Sequence, residues 1–412
     1  MKIKSLFLFF LAITLLCMSF SFTGCNNNAE KTQVVIWHSS GEQQNVALND
    51  IVARFNASQD KIEVIAESQP SANFLSNVYS AVANGVGPDV IFNYASTVSD
   101  YLADDKVVDL SGYFNLTELQ SLVPQAVYDE CTSFGDGKLY CLPLHSSGPV
   151  FFYDKALYTE LGLSVPTTWA ELESNAKVIY EAKGIPGFAA DSLTDLMQCL
   201  ILQNGSGYID VSNKKVLFNN STTVESLDWF GKNVRAGYFT NEKDGDYFFN
   251  NFNAGLLGSF IASCGCEEYI TNENYGVAAI PQAGTTKWAP TWNRALIVFK
   301  SNKQKESAAV EFLKFFTNAE NSAQWTMASG NISPYSYTSN IDEYKNFLTE
   351  NKALAVVDAS KAHSSMLPTI VGSSTVRSEL ERMAVLAISD NNSIENILKE
   401  AEQKCNEALN NN

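Results

Sequence analysis

The chain has 412 residues, 45% hydrophobic and 12% aromatic, with a formal net charge of −17. That length and composition admit two globular domains with sizeable cores and exclude a disordered chain. The acidic excess excludes nucleic acid as a partner and favours solubility, but it leaves ligand charge open, because one placed arginine can hold an anion.

Lys2 and Lys4 precede an uncharged apolar run over 5–22 and then Thr23-Gly24-Cys25. A small residue before a cysteine, with no stop-transfer charge after it, predicts a signal peptide over 1–24 rather than a spanning helix. Phe22-Thr23-Gly24-Cys25 resembles a bacterial lipobox with Phe where Leu is usual, which implies cleavage before Cys25 and lipidation of its sulfur, with 25–32 as a tether. The alternative is a plain signal peptide cut near Asn28.

Residues 34–37 predict an apolar strand, and Leu48, Ile51, Val52 and Phe55 keep the spacing of one helix face. A strand at 61–67, a helix at 72–84, a break at 85–88 and a strand at 89–92 continue the alternation that begins a doubly wound sheet. Helices are predicted over 94–110 and 117–128. Strands at 139–144 and 150–153 then flank the polar break His145-Ser146-Ser147-Gly148-Pro149, which suits either a tight turn or a ligand site at strand ends.

Beyond it, helices are predicted at 154–163 and 193–202, with Thr168 and Glu171 forming a capping box before another. Short strands are expected at 187–190 and 256–262, and helices at 224–237 and 246–253. Strands at 275–281 and 295–300 are expected to pair. A helix at 305–317 and a helical tail over 373–409 follow, in which Ile394, Ile397, Leu398, Ala401, Cys405 and Leu409 form a core stripe. No internal repeat or long linker interrupts the chain.

Catalytic signatures are missing: there is no Gly-x-Ser-x-Gly elbow, His-Glu-x-x-His, Walker loop or dinucleotide fingerprint, and only His38, His145 and His363 could serve as bases at neutral pH. The chain therefore reads as a binding protein and not an enzyme, with no cofactor or metal. Six cysteines remain beyond Cys17 and Cys25. Cys131 and Cys141 flank the turn signal Phe134-Gly-Asp-Gly137 and are predicted to close a hairpin by a disulfide. Cys264-Gly-Cys266 reads as a tight apolar bend.

Gly135-Asp-Gly-Lys-Leu-Tyr140, the Ser146-Ser147 joint and Phe151-Phe-Tyr-Asp-Lys155 occur together with Val34-Val-Ile-Trp-His-Ser39, Gly85-Val-Gly-Pro-Asp-Val90, Pro166-Thr-Thr-Trp169, Asn274-Tyr-Gly-Val277 and Glu311-Phe-Leu-Lys-Phe-Phe316. In this ensemble the chain resembles the family 1 extracellular solute-binding proteins of ABC importers over nearly its whole length, and most of all their glycerol-phosphate-binding branch. The resemblance implies a two-lobed α/β fold of the class II periplasmic-binding type. Each lobe would be a mainly parallel sheet flanked by helices, with several hinge crossings. Lobe 1 is expected over 33–143 plus 277–330, and lobe 2 over 144–276 plus 331–412. It also implies a monomer, exported and lipid-anchored to a membrane, that delivers its ligand to permease subunits.

For the site, the resemblance places Phe74 at a cleft edge, Ser147 at a ligand-contacting serine, Ser263 in the second lobe and Arg377 at a phosphate-contacting arginine. Three positions depart from that branch. Tyr94-Ala95 lacks its carboxylate, Asn293-Arg294 after Trp292 replaces a Gly-Gly pair, and Gly330-Asn331 replaces Gly-Tyr. Two ligand classes follow. In one, Trp37, Phe74, Tyr94 and Trp292 stack on a small carbohydrate, while Asn293, Asp191 and His145 hold hydroxyls, with His38 and Ser146 beside them. In the other, Arg377, with Arg294, grips glycerol 3-phosphate or a glycerophosphodiester. The balance favours the sugar. A surface adhesin on the same scaffold is the third reading.

Overall fold

A computed structural model describes residues 31–410, except 72, 103, 246, 284–286, 361–366, 369 and 390–392. The expected signal peptide, Cys25 and His363 lie outside the described residues. Among the described residues eleven strands are formed: β1 (Thr32–His38), β2 (Ile62–Ser68), β3 (Val90–Tyr94), β4 (Cys141–Ser147), β5 (Pro149–Asp154), β6 (Ala189–Ala190), β7 (Ile209–Asp210), β8 (Lys215–Val216), β9 (Ser259–Ser263), β10 (Tyr275–Ala278) and β11 (Trp292–Val298). They make two main sheets, ordered β2-β1-β3-β11-β4 and β10-β5-β9-β6, and a small ribbon of β7 and β8.

β1 runs parallel to β2 and β3, while β11 is antiparallel to both β3 and β4, so four of the five strands in the first sheet share a direction. In the second sheet β5 is the reversed strand, antiparallel to β9 and β10, while β6 is parallel to β9. The reversed strand of each sheet is the one that arrives from the other lobe. An element entering across the hinge comes in from the opposite end to one made locally by strand–helix alternation.

The first sheet buries Val34, Ile36, Ile91 and Leu296 against Phe312 of the helix Lys303–Phe316. The predicted amphipathic helix is Glu42–Ser58, and Leu48, Ile51, Val52 and Phe55 are its buried face. The second sheet has a core on each side, one with Phe151, Phe188 and Ile261, the other with Phe152, Phe260 and Val150. The capping box at Thr168 and Glu171 opens the helix Trp169–Lys183. The tail forms two helices, Ser373–Ile388 and Ile394–Asn410, and Ile397, Leu398, Ala401, Cys405 and Leu409 are buried in the first of those two cores.

Several expectations are corrected. The span 94–110 is helical only to Leu102, because Asp105 at φ 54° turns the chain. Pro124 splits 117–128 into helices Leu116–Leu122 and Gln125–Thr132, since proline cannot continue the first. Cys131 sits in the last turn of Gln125–Thr132, so the glycines at 135 and 137 join a helix to a strand and no hairpin exists. Cys131 and Cys141 are buried free thiols, not a disulfide, as are Cys199, Cys264, Cys266 and Cys405.

The polar joint is also different: His145, Ser146 and Ser147 are the end of β4, and the break is the single residue Gly148. β10 pairs with β5 rather than with β11, so the chain returns to the first sheet between 279 and 291, later than residue 277. The third path is drawn out: Ile332 packs in the second-lobe core, Tyr335 in the first core, and Ala353 and Leu354 in the second-lobe core again.

The crossings are laced together. Ser146 exchanges both backbone hydrogen bonds with Ile332, at 2.9 Å each, and faces Asn293 in β11. At Gly148 a Cβ would stand 3.2 Å from the Pro290 carbonyl oxygen and 3.4 Å from Val357 Cγ1, so the first two crossings and the second-lobe helix Lys352–Ser360 meet there. Replacing Gly148 with Leu should therefore destabilise the protein by about 1–3 kcal/mol through overpacking. A lowered urea midpoint would register it, and an unchanged midpoint would show that the crossings do not pack tightly at that residue.

Candidate functional site

Strand alternation sorts the joint residues onto two faces. His145 and Ser147 on β4, and Trp292 and Arg294 on β11, point into a cavity of about 220 Å³ at the C-terminal ends of β1, β3 and β4. Ser146 and Asn293 lie between them in sequence and point to the opposite side. There Ser146 Oγ donates to Asn293 Oδ1 at 2.6 Å, and Asn293 Nδ2 donates to Glu130 Oε2 at 2.6 Å. Trp292 also lines a second cavity of about 200 Å³, walled by Trp169, Asp191, Asp195, Tyr247 and Ser263. Neither alone reaches the roughly 300 Å³ at the small end of small-molecule sites, and together they do.

Arg294 lies over the exposed Tyr94 ring, its guanidinium carbon 3.7 Å from the centroid, and Nη1 donates to Asn93 Oδ1 at 3.3 Å. These two contacts hold the guanidinium at the cavity wall. His145 is buried, and its Nδ1 accepts a hydrogen bond from Trp325 Nε1 at 3.0 Å. Indole is only a donor, so Nδ1 is the bare nitrogen and Nε2 carries the hydrogen. Burial, aided by the Arg294 charge, lowers the imidazole to about 3. His145 is therefore a neutral donor and not a general base.

The other expected residues are placed elsewhere. Trp37 is half-buried on the first core, with Nε1 donating to Glu67 Oε2 at 2.7 Å. Phe74 is a core residue. His38 is fully buried behind the cavity, its Nδ1 accepting from the Ser40 amide, its Nε2 without a partner, and its basicity lowered by burial. Arg377 lies outside both cavities, half-exposed, and pairs with Asp195, its Nη2 3.3 Å from Oδ1. Asp191, raised by burial, accepts the Phe248 amide on Oδ1 and faces the Cys266 thiol with Oδ2.

Sequence reasoning missed Ser39, Ser40, Gln44 and Asn331 in the first cavity and Trp169, Asp195 and Tyr247 in the second. Ser39 and Ser40 directly follow β1, and polar residues after a strand of a doubly wound sheet were a usable signal. Asp195 and Tyr247 come from distant segments brought together only by tertiary packing.

A cleft between two lobes, donor-rich on one wall and aromatic and acidic on the other, with its buried histidine locked neutral, defines a protein that captures a solute rather than transforming one. The chain belongs to the bacterial extracellular solute-binding protein family, whose model matches residues 50–353. Members serve as the solute-binding component of ABC importers and are not enzymes. The chain is 21% identical over 384 residues to the sn-glycerol-3-phosphate-binding periplasmic protein UgpB of Yersinia enterocolitica, covering 87% of each chain.

Among solved structures, the cyclic alpha-maltosyl-1,6-maltose binding protein from Arthrobacter globiformis matches with a TM-score of 0.82 at 22% identity, covering 93% of this chain and 100% of that one. The sugar-binding protein MalE from Xanthomonas citri matches with a TM-score of 0.80 at 19% identity, covering 92% and 97%. These likenesses bear out the two-lobed α/β fold.

A half-buried carboxyl and a buried imidazole set opposite pH dependences. Desolvation raises Glu130 to about 7, against which the Asn293 hydrogen bond acts. Its folded value exceeds its unfolded one, so its contribution to stability is complete below the unfolded carboxylate range and is lost as pH rises through 7. His145 is depressed, so its contribution is present above 6.5 and lost as pH falls toward 3. Glu130→Gln should thus gain stability relative to the parent between pH 6 and 8, read from paired thermal midpoints. A gap between the two that stays constant over pH 5–8 would refute the Glu130 assignment.

Proposed function

We propose that the protein captures a small carbohydrate, a mono- or oligosaccharide, in the interlobe cleft and presents it to a permease by hinge closure. The single observation that carries this reading is Trp292, whose side chain lines both cavities and so stands where a pyranose face would stack as the lobes shut. Hydroxyl acceptors on one wall, Asp191 and Asp195, and donors on the other, His145 Nε2–H and Ser147, suit a ligand that is both donor and acceptor all round. The solved sugar-binding structures of the same fold support the reading. Glycerol 3-phosphate anchored by Arg377 fits less well, because that side chain is paired with Asp195 and lines neither cavity.

Closure buries the ligand's polar groups in one state only, so the ligand shifts the hinge equilibrium by its differential contacts. An exported monomer tethered through a lipidated Cys25 completes the proposal. Among the described residues no helix is long and apolar enough to cross a membrane. Trp292→Ala should weaken sugar binding by about 2 kcal/mol, roughly 30-fold, and leave the thermal midpoint of the ligand-free protein nearly unchanged. Calorimetry with malto-oligosaccharides and other neutral oligosaccharides reads the effect. Full affinity in the variant, or heat only with glycerol 3-phosphate, would overturn it.

A further inference from the structure

The first cavity is electrically one-sided. Arg294 is its only lining residue with a permanent charge, and none of its lining residues is Asp or Glu. Among the described residues Arg294 forms no ion pair; its contacts are the Tyr94 ring and one amide oxygen, which leave most of its five N–H donors unused. Arg377 in the second lobe is the contrast, since it has Asp195 beside it. More than nine-tenths buried on the same wall, His145 holds out Nε2–H, a donor that His145 cannot turn into an acceptor while Trp325 occupies Nδ1. Ser39, Ser40 and Gln44 bring in the start of the 17-residue helix Glu42–Ser58, whose positive dipole end adds to the same sign.

Carboxylates near this wall do not line it: Glu42, in the first turn of that helix, is exposed and outside the lining. Glu130 is bonded to Asn293 on the opposite face of β11, and Asp191 and Asp195 line the other cavity. A half-buried, uncompensated guanidinium costs desolvation energy that a neutral hydroxyl recovers only in part, whereas an oxyanion answers it with charge-assisted, two-point bonds.

We infer that the ligand is an acidic sugar, whose oxyanion is held in the first cavity by the Arg294 fork and the His145 Nε2–H. This rests on the carbohydrate reading and narrows it to glycans that carry a carboxylate or a phosphate. The second cavity is lined by no basic residue, so the acid finds an answering charge only in the first and the ligand enters in one orientation, with its neutral, hydroxyl-bearing part against Trp292 and Trp169.

The test is calorimetry on the parent protein, Arg294→Gln and Arg294→Lys with three kinds of probe: uronic-acid di- and trisaccharides, their carboxyl-reduced neutral counterparts, and hexose phosphates. The expected result is that an acidic probe binds the parent at least ~30-fold more tightly than its neutral counterpart. Arg294→Gln should erase that preference, and Arg294→Lys should restore part of it, as a point charge without the fork. Binding of uronates but not hexose phosphates assigns the oxyanion as carboxylate, and the reverse assigns it as phosphate. Thermal midpoints of both variants within a few degrees of the parent separate a lost contact from a lost fold. Equal binding of the neutral counterparts, or an acid preference that survives in Arg294→Gln, overturns the inference and leaves the carbohydrate reading standing. Binding of no sugar, acidic or neutral, sinks both.

Discussion

The backbone exchange between Ser146 and Ile332 is the constraint on which the remaining structure depends. Ser146 closes β4, Asn293 opens β11 beside it and Ile332 stands on the third path, so one residue holds every route between the lobes in register. Beneath it, the run from the buried Ser146 and Asn293 to the half-buried Glu130 satisfies the polar side chains that alternation sends to the wrong side for binding. A buried polar network is stable only when each member has its partner, and this one fixes which face of β4 and β11 meets the ligand. His145, Ser147, Trp292 and Arg294 reach the cavity because Ser146 and Asn293 are held away from it.

Local signals were legible where local physics decides. The helix Glu42–Ser58, the capping box at Thr168 and the buried stripe of the last helix followed from spacing and turn chemistry alone. Where the sequence misled, a non-local partner was in control. Residues 275–281 resemble a strand equally well in either sheet, and only the pairing with β5 decides which one they join. Cys131 and Cys141 looked like a hairpin pair because a turn signal separates them, yet the residues before the turn close a helix through packing that no six-residue window contains.

The site divides in the same way. Tyr94, His145, Ser147, Trp292 and Arg294 were recognisable because they fall at the ends of strands that meet in the cleft. Phe74 and Trp37 carried the right chemistry, but burial in the first core claimed one and Glu67 engaged the other. Arg377 shows the limit most clearly. Its place in the chain matched a phosphate anchor, while Asp195, 182 residues upstream in sequence, gave the charge a different use.

The unpaired thiols bear on how such a protein reaches its destination. All six cysteines that the structure describes are enclosed in the cores and none is cross-linked, so the native state is held by non-covalent interactions among the described residues. A chain of this kind asks for no oxidase on arrival outside the cytoplasm. It would mature equally well in an anaerobic habitat and in an aerated one, shielding its sulfur from either.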